Sequence, residues 1–293
     1  MDEMPNKIKV PTISLVAVGS ELLNGETRET NLFWLIRFFV RRGGRINRAV
    51  VVPDDFGMIK EEVDYCRNGK IDLMVTTGGL GPTDDDATLA AIANALNCGI
   101  ACDRRALAMV KARIKDMAKY RPGLPTGLTK ERRSMADFPV GGEPIHNPVG
   151  VAPGMIYKTG CTTILSLPGV PSEMKGIMTI SLKDFRKEFF KGIVYVRKNI
   201  RIRGIPEAEL WPYVRRIQEK DPEVYIKTRL KVTGKIVERK EPFPPNKLPW
   251  LIILHFSVVS LSKKDGERRI NKLAEMLMNE IHRKYKYPID VEL

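Results

Sequence analysis

Three strand-like runs in the first third of the chain each end at a turn and lead into a segment of helical periodicity. Thr12–Val18 stops at Gly19, Ile46–Val52 at Pro53-Asp54-Asp55, and Ile71–Thr76 shortly before Gly78-Gly79. The segments that follow predict helices over Glu29–Arg42, Phe56–Cys66 and Asp84–Leu96. In the first, Leu32, Leu35, Ile36 and Phe39 share a face; in the third, Leu89, Ile92, Ala93 and Leu96 keep i, i+3, i+4, i+7 spacing. Strands that alternate with helices pair in parallel through right-handed crossovers, so βαβαβα predicts a doubly wound α/β sheet. Such a sheet brings the loops at its strand carboxyl ends into one crevice.

The pattern continues less regularly. A helix is expected over Arg104–Tyr120, a Pro/Gly loop over 121–128 and a basic helical piece over Lys130–Met135. Residues 139–154 hold four prolines and four glycines and are expected to lack regular structure. Met155–Tyr157 and Thr162–Leu167 predict a hairpin. A helix then runs to about Phe190, with Ser172 as its N-cap. From Gly192 the texture changes. Strands over Ile193–Ile202, Val224–Val232 and Leu251–Leu261, with helices over Pro206–Glu219 and Arg268–Tyr285, predict a smaller α+β domain with an exposed loop at Lys240–Pro249. The expected domains are therefore 1–191 and 192–293.

The net charge of +14 is unevenly spread. Residues 1–100 carry 11 Lys/Arg against 14 Asp/Glu, whereas residues 181–293 carry 26 against 15. A basic C-terminal third is one route to nucleic acid. The plainer reading is a Lys/Arg-rich surface of the kind found in proteins from hot environments, and no aromatic signature of an RNA-recognition motif accompanies the charge. The four cysteines lack zinc-site spacing and fit a reducing compartment. The N-terminus has no signal-peptide core, and no apolar run is long enough for a membrane span. A soluble, cytoplasmic protein is expected.

The chemistry concentrates in Gly78-Gly79-Leu80-Gly81-Pro82-Thr83-Asp84-Asp85-Asp86-Ala87-Thr88. Glycines let the backbone approach a ligand, and a helix N-terminus favours phosphate. Three aspartates would repel that phosphate unless a divalent cation such as Mg²⁺ lay between them. The segment is neither a Walker A loop nor GxGxxG. The alternative is a helix start capped by Thr83 or Asp84, with acids complementing the dipole. Gly19–Gly25, with Glu21, and Glu29-Thr30-Asn31 should face this loop, although Thr30 or Asn31 would also serve as an N-cap. Asp54 and Asp55 stand where many nucleotide folds hold a ribose-binding acid, or as N-caps. Asn147–Gly154 and Leu167–Met174 are rigid turns. The second opens a helix with Glu173 in its first turn.

Together these segments, in this order and spacing, resemble the N-terminal domain of the CinA family (competence/damage-inducible protein), which has the molybdopterin-binding, MoaB/MogA-like fold. Arg203-Gly204-Ile205 and Val224-Tyr225-Ile226-Lys227 resemble that family's small second domain. The resemblance implies a three-layer α/β sandwich with a mostly parallel sheet and a nucleotide- or pterin-type pocket. It implies metal-dependent hydrolysis of ADP-ribose or a related nucleotide diphosphate, with Asp84, Asp85 and Asp86 catalytic and Asp85 and Asp86 holding the metal. Glu21, Asn31, Asp54, Gly78, Gly79, Gly81, Thr83, Thr88, Asn147, Gly150, Gly169 and Glu173 would surround the ligand. In that mechanism backbone N–H groups of Gly78–Gly81 stabilise developing charge, and Asp84 or Glu21 takes the proton of a metal-bound water.

Two alternatives stand beside it: a molybdopterin-binding or adenylyl-transfer protein, and a non-enzymatic nucleotide or nucleic-acid binding module. Relatives are often homo-oligomers. The chain departs from the family at Ser20, Glu29 and Val151, where Asp or Asn, Asp, and Thr are common. It also ends without the deamidase domain of many bacterial members, so deamidation is not expected.

Overall fold

The structure, a computed structural model, describes residues 8–120, 123, 125–232, 250–285 and 290–292. Two compact units result, Val10–Lys191 and a second from Gly192 onward.

In the first unit the elements run β1 (Thr12–Val18), α1 (Ser20–Leu23), α2 (Asn31–Val40), β2 (Arg45–Val52), α3 (Phe56–Asn68), β3 (Leu73–Thr77), α4 (Thr88–Ala95), β4 (Ile100–Cys102) and α5 (Arg104–Tyr120). They continue as α6 (Lys130–Ser134), β5 (Asp137–Pro139), β6 (Glu143–Ile145), β7 (Gly154–Lys158), β8 (Thr163–Leu167), α7 (Pro171–Ile180) and α8 (Leu182–Glu188). Six strands form the main sheet in the order β2-β1-β3-β8-β7-β6. β1, β2, β3 and β8 are parallel, and β7 and β6 close the edge antiparallel. β1, β3 and β8 are apolar on both faces because both are covered, as buried parallel sheets require. Ile13, Leu15, Leu73 and Val75 pack under α2, α7 and α8. Val16, Met74 and Ile164 pack under α3, α4 and α5. This is a three-layer α/β sandwich.

Several boundaries differ from the sequence reading. α4 begins at Thr88, not Asp84, and neither Thr83 nor Asp84 caps it. The three aspartates lie in a turn because the Asp86 carboxylate folds back onto the loop rather than onto a helix end. α2 begins at Asn31, and neither Thr30 nor Asn31 caps it through a side chain. Glu29 takes that role, its Oε1 accepting from Leu32 N at 2.6 Å. The N-cap position of α7 is Val170, not Ser172, with the fixed φ of Pro171 starting the first turn. The expected single helix to Phe190 is broken at Ser181 into α7 and α8. Within the Pro/Gly-rich stretch 139–154, β6 pairs with β7, because Pro144 sits on an edge strand where its missing N–H is tolerated. The short helix α1 and the strand pair β4–β5 carried no periodic signal. The four cysteines are unpaired.

The second unit runs β9 (Val194–Arg203), α9 (Glu207–Gln218), β10 (Tyr225–Val232), β11 (Trp250–Ser260), α10 (Lys263–Lys284) and β12 (Asp290–Glu292). Its sheet has the order β10-β11-β9-β12, with every pair antiparallel. Both helices cover one face, packing Leu210, Val214, Leu273 and Leu277 on Ile200, Ile226, Leu254 and Phe256. α10 starts earlier than its periodicity suggested, because Ser262 Oγ accepts from Asp265 N at 3.1 Å. Residues 121, 122 and 124 of one expected loop, and the expected loop Lys240–Pro249, lie outside the described residues. No helix among the described residues is long and apolar enough to cross a membrane.

Candidate functional site

The crest of the main sheet is held together by close backbone approaches. Gly78 N donates to Leu167 O at 3.0 Å, and Gly19 N to Val52 O at 3.0 Å. Gly78 adopts φ 109°, and a Cβ there would lie 2.0 Å from Val18 O. At Gly79 (φ 65°) a Cβ would lie 2.2 Å from Thr88 Oγ1. Only glycine fits either position. The loops after β1, β3 and β8 thereby converge on a cleft of about 790 Å³.

Most of the sequence-selected residues meet there. Glu21, Asn31, Asp54, Gly78, Gly79, Gly81, Thr83, Asp85, Asp86, Gly150, Gly169 and Glu173 all line the cleft. Asp84, Thr88 and Asn147 do not. Asp84 is exposed outside it. Thr88 is buried and donates from Oγ1 to Gly78 O at 2.9 Å, so it supports the loop from behind. Asn147 is also buried and builds the neighbouring turn. Its Oδ1 accepts from Val149 N and Gly150 N, and its Nδ2 donates to Ala152 O and to Glu173 Oε2 at 2.7 Å.

The three aspartates differ in role. Asp86 is a staple: Oδ1 accepts from Gly81 N at 2.7 Å, and Oδ2 from Thr83 N at 2.8 Å and Thr83 Oγ1 at 2.6 Å. Asp85 faces the cleft with no side-chain partner among the described residues. Asp54 ties two loops together: its Oδ2 accepts from Ser20 N at 2.7 Å, and its own N–H donates to Ser20 Oγ at 3.2 Å. Asp55 is the N-cap of α3, accepting from Met58 N at 2.8 Å. Of this pair, Asp55 is the N-cap, and Asp54 lines the cleft without capping α3.

Asn31 is 7% exposed, and its amide orientation is fixed. Nδ2 donates to Thr77 Oγ1 at 3.0 Å and Gly169 O at 2.7 Å, while Thr77 Oγ1 gives its own proton to Pro168 O at 2.9 Å. Both oxygens facing the amide must accept, so the NH₂ group points at them. Asn31 Oδ1 is left buried without a partner among the described residues. Unmet buried acceptors cost about 1–3 kcal/mol, so this oxygen suits an N–H or O–H donor on a ligand.

Donors for an anion lie nearby. The N–H groups of Gly79 and Leu80 have no protein acceptor among the described residues. The first turn of α7 also borders the cleft through Val170, Pro171 and Glu173. Six carboxylates line the cleft, Glu21, Glu29, Asp54, Asp85, Asp86 and Glu173, against two cations, Arg28 and Arg132. Sequence reasoning missed Thr77, Arg28 and Arg132. Arg132 was visible only as part of a basic helical piece, and Arg28 carried no signal.

The carboxylates do not assemble a cage. Among the described residues no group of three or more His, Cys, Asp or Glu is placed to hold a metal ion. Mg²⁺ does not require one, since it binds through one or two carboxylates together with water and substrate phosphates. On that criterion Asp85 fits a cation shared with a ligand. Asp86, whose two oxygens already accept three donors, fits less well.

Residues 14–187 match the family described as "Probable molybdopterin binding domain". A protein from Aeropyrum pernix is 38% identical over 218 residues, covering 74% of this chain and 78% of its own. One from Pyrobaculum arsenaticum is 33% identical over 264 residues, covering 90% and 92%. Among solved structures, CinA from Thermoplasma acidophilum, titled as a protein of unknown function, is 36% identical with a TM-score of 0.53, covering 60% of this chain and 98% of its own. The chain belongs to the molybdopterin-binding domain family and is a CinA-like member of it, with the MoaB/MogA-like α/β fold.

Proposed function

We propose that the cleft binds a phosphorylated heterocycle and hydrolyses it as a metal-dependent nucleotide pyrophosphatase, with ADP-ribose or a related nucleotide diphosphate as substrate. The observation that carries the binding part is the buried, unpartnered Asn31 Oδ1 in the same cleft as the free N–H groups of Gly79 and Leu80. The oxygen calls for a hydrogen-bond donor and the N–H groups for an anion. A nucleotide or a pterin bearing phosphate supplies both.

In this reading Asp85 and the ligand's phosphates would share the divalent cation, which supplies Lewis-acid chemistry and an acidified water. The Gly79 and Leu80 N–H groups would hold a non-bridging oxygen as its charge grows. Glu21, exposed at the cleft with no side-chain partner among the described residues, is better placed to take a proton than Asp84, which lies outside the cleft. Asp86 would act by keeping Gly81 and Thr83 in position.

The test is a hydrolysis panel of nucleotide diphosphates and ADP-ribose, with and without Mg²⁺, on the full chain. Metal-dependent release of AMP supports the reading, and no turnover of any member overturns it. A second reading, binding or adenylylation of molybdopterin, is favoured by the family's description and uses the same cleft. Pterin fluorescence that copurifies with the protein, together with an inactive hydrolysis panel, would select it.

A further inference from the structure

Among the described residues, the sheet of the second unit has helices on one face only. Even-numbered residues of β9, β10 and β11, among them Ile200, Ile226 and Leu254, pack beneath α9 and α10. The odd-numbered residues face the other way, since side chains alternate along a strand. Across the sheet they fall into rows: Tyr225–Ser257–Arg197, Lys227–His255–Asn199 and Arg229–Ile253–Arg201, with Lys231 next along β10. β9, β10 and β11 contain no Asp or Glu. Arg197, Lys227, Arg229 and Lys231 are exposed. None of the four has an ion-pair partner among the described residues. β12 extends the sheet beside Arg201 and Arg203 on β9, and the unpaired cations lie along β10 and at Arg197.

We propose that this outer face, along β10 and across to Arg197, binds the phosphate backbone of single-stranded nucleic acid without reading its sequence. Lys227, Arg229 and Lys231 recur at every second residue, about 7 Å apart, which makes a linear row suited to a linear polyanion. Tyr225, 54% exposed at the end of that row, offers a ring for stacking. The face belongs to a four-stranded antiparallel sheet, not to a helix or two-stranded ribbon that enters a duplex groove. Its described residues include no exposed Trp, Phe or Leu of the kind an interfacial membrane anchor inserts. Having few aromatics, it would hold the backbone electrostatically rather than stack several bases as an RNA-recognition motif does.

His255 reports on this face. Burial, followed by repulsion from Arg229 and Arg197, holds its imidazole below the ordinary histidine value. Lys227 and Arg229 flank it from β10 and Arg197 and Arg201 from β9, with Asn199 Oδ1 2.7 Å from its Nδ1. A bound polyanion would offset those cations and raise the His255 titration.

The test is fluorescence anisotropy of the full chain with a labelled oligo(U) or oligo(dT) of about 16 nucleotides, across a salt series. Wild type should bind with a steep salt dependence. Lys227→Gln/Arg229→Gln/Lys231→Gln should bind about tenfold more weakly or worse, with a salt slope smaller by about 2, since each lost contact on a single strand removes about 0.7. Arg37→Gln/Arg41→Gln, exposed on α2 and at its C-cap, should bind as wild type does. The proposal fails if wild type does not bind, if binding ignores salt, or if the triple variant matches wild type, which would leave Lys227, Arg229 and Lys231 as a guard on an edge strand. It also fails if the protein takes up phosphatidylserine vesicles but not the oligonucleotide. Should the triple variant not fold, the His255 titration of wild type decides by NMR: an upward shift on adding oligonucleotide supports the proposal, and no shift overturns it.

Discussion

Asn31 and Thr77, 46 residues apart, are joined by a 3.0 Å hydrogen bond in which the amide donates and the hydroxyl passes its own proton on to Pro168 O. The bond locks the loops after β1, β3 and β8 into one crest. Asn31→Asp keeps an acceptor at the cleft but places a carboxylate oxygen against Gly169 O, which cannot donate. The variant should lose about 1–3 kcal/mol of stability, read by urea unfolding, and ligands should recover less of it than in wild type. An unchanged unfolding midpoint would refute the fixed amide orientation.

Asp85 and Asp86 should separate stability from turnover. Asp86→Ala removes the acceptor for Gly81 N, Thr83 N and Thr83 Oγ1, and should cost about 1–3 kcal/mol whether or not ligand is present. Asp85→Asn breaks no protein contact and should change stability by no more than about 0.5 kcal/mol. Under the hydrolytic reading it should abolish metal-dependent turnover. Equal thermal shifts for the two variants would contradict this division.

Gly150 is buried where a Cβ would lie 2.0 Å from Glu173 Cδ. Gly150→Ala must therefore push Glu173 away from Asn147 Nδ2, its 2.7 Å partner. The shift falls on the end of a flexible side chain, so the expected loss is about 0.5–1.5 kcal/mol, that of one hydrogen bond. Combining it with Glu173→Ala should restore part of that loss, because the clash is removed. A double-mutant cycle checks this; strict additivity would show that the two residues do not collide.

In the second unit Arg269 forks onto Asp221, with Nε to Oδ2 at 2.8 Å and Nη2 to Oδ1 at 2.6 Å, and Nη2 also reaches Glu223. The guanidinium bond holds the Asp221 carboxyl below its ordinary value, against a smaller opposing effect of burial. A lowered folded value means that the stabilisation is complete above the unfolded value, about 3.9, and is lost as the pH falls through the folded one. Arg269→Ala should cost about 1 kcal/mol at neutral pH, discounted for solvent contact, and less at pH 3. The measurement is unfolding free energy against pH; a loss independent of pH would exclude the pair as its source.

Burial pushes the Cys66 thiol up to about 11, and its side chain is fully enclosed beneath the sheet. Maleimide at pH 8 should therefore label exposed Cys161 in the native protein and reach Cys66 only after denaturation. Mass spectrometry of the labelled chain checks the order. Native labelling of Cys66 would show that α3 opens easily.

The periodicity of the sequence by itself determined the alternation of strand and helix. β1, β3 and β8 are mostly apolar runs that end at glycine or proline, and a parallel sheet covered on both faces demands such runs, whereas the edge strand β2 keeps Arg45, Asn47 and Arg48. The glycines at 78, 79 and 81, and the acids after them, likewise marked where the cleft would lie, because strand carboxyl ends in this topology meet at one crest. Neither periodicity nor residue type could say which way each polar side chain would turn. Asp84, Asp85 and Asp86 are chemically identical, yet one is exposed outside the cleft, one faces it and one staples its rim. Asn147 and Asn31 read alike as ligand residues, but Asn147 satisfies its bonds in its own turn and on Glu173 while Asn31 keeps one oxygen free. Those roles depend on partners 26, 46 or 138 residues away. Only the tertiary structure, by bringing the distant donors and acceptors of each side chain together, decides which polar groups are consumed in holding the fold and which remain to meet a ligand.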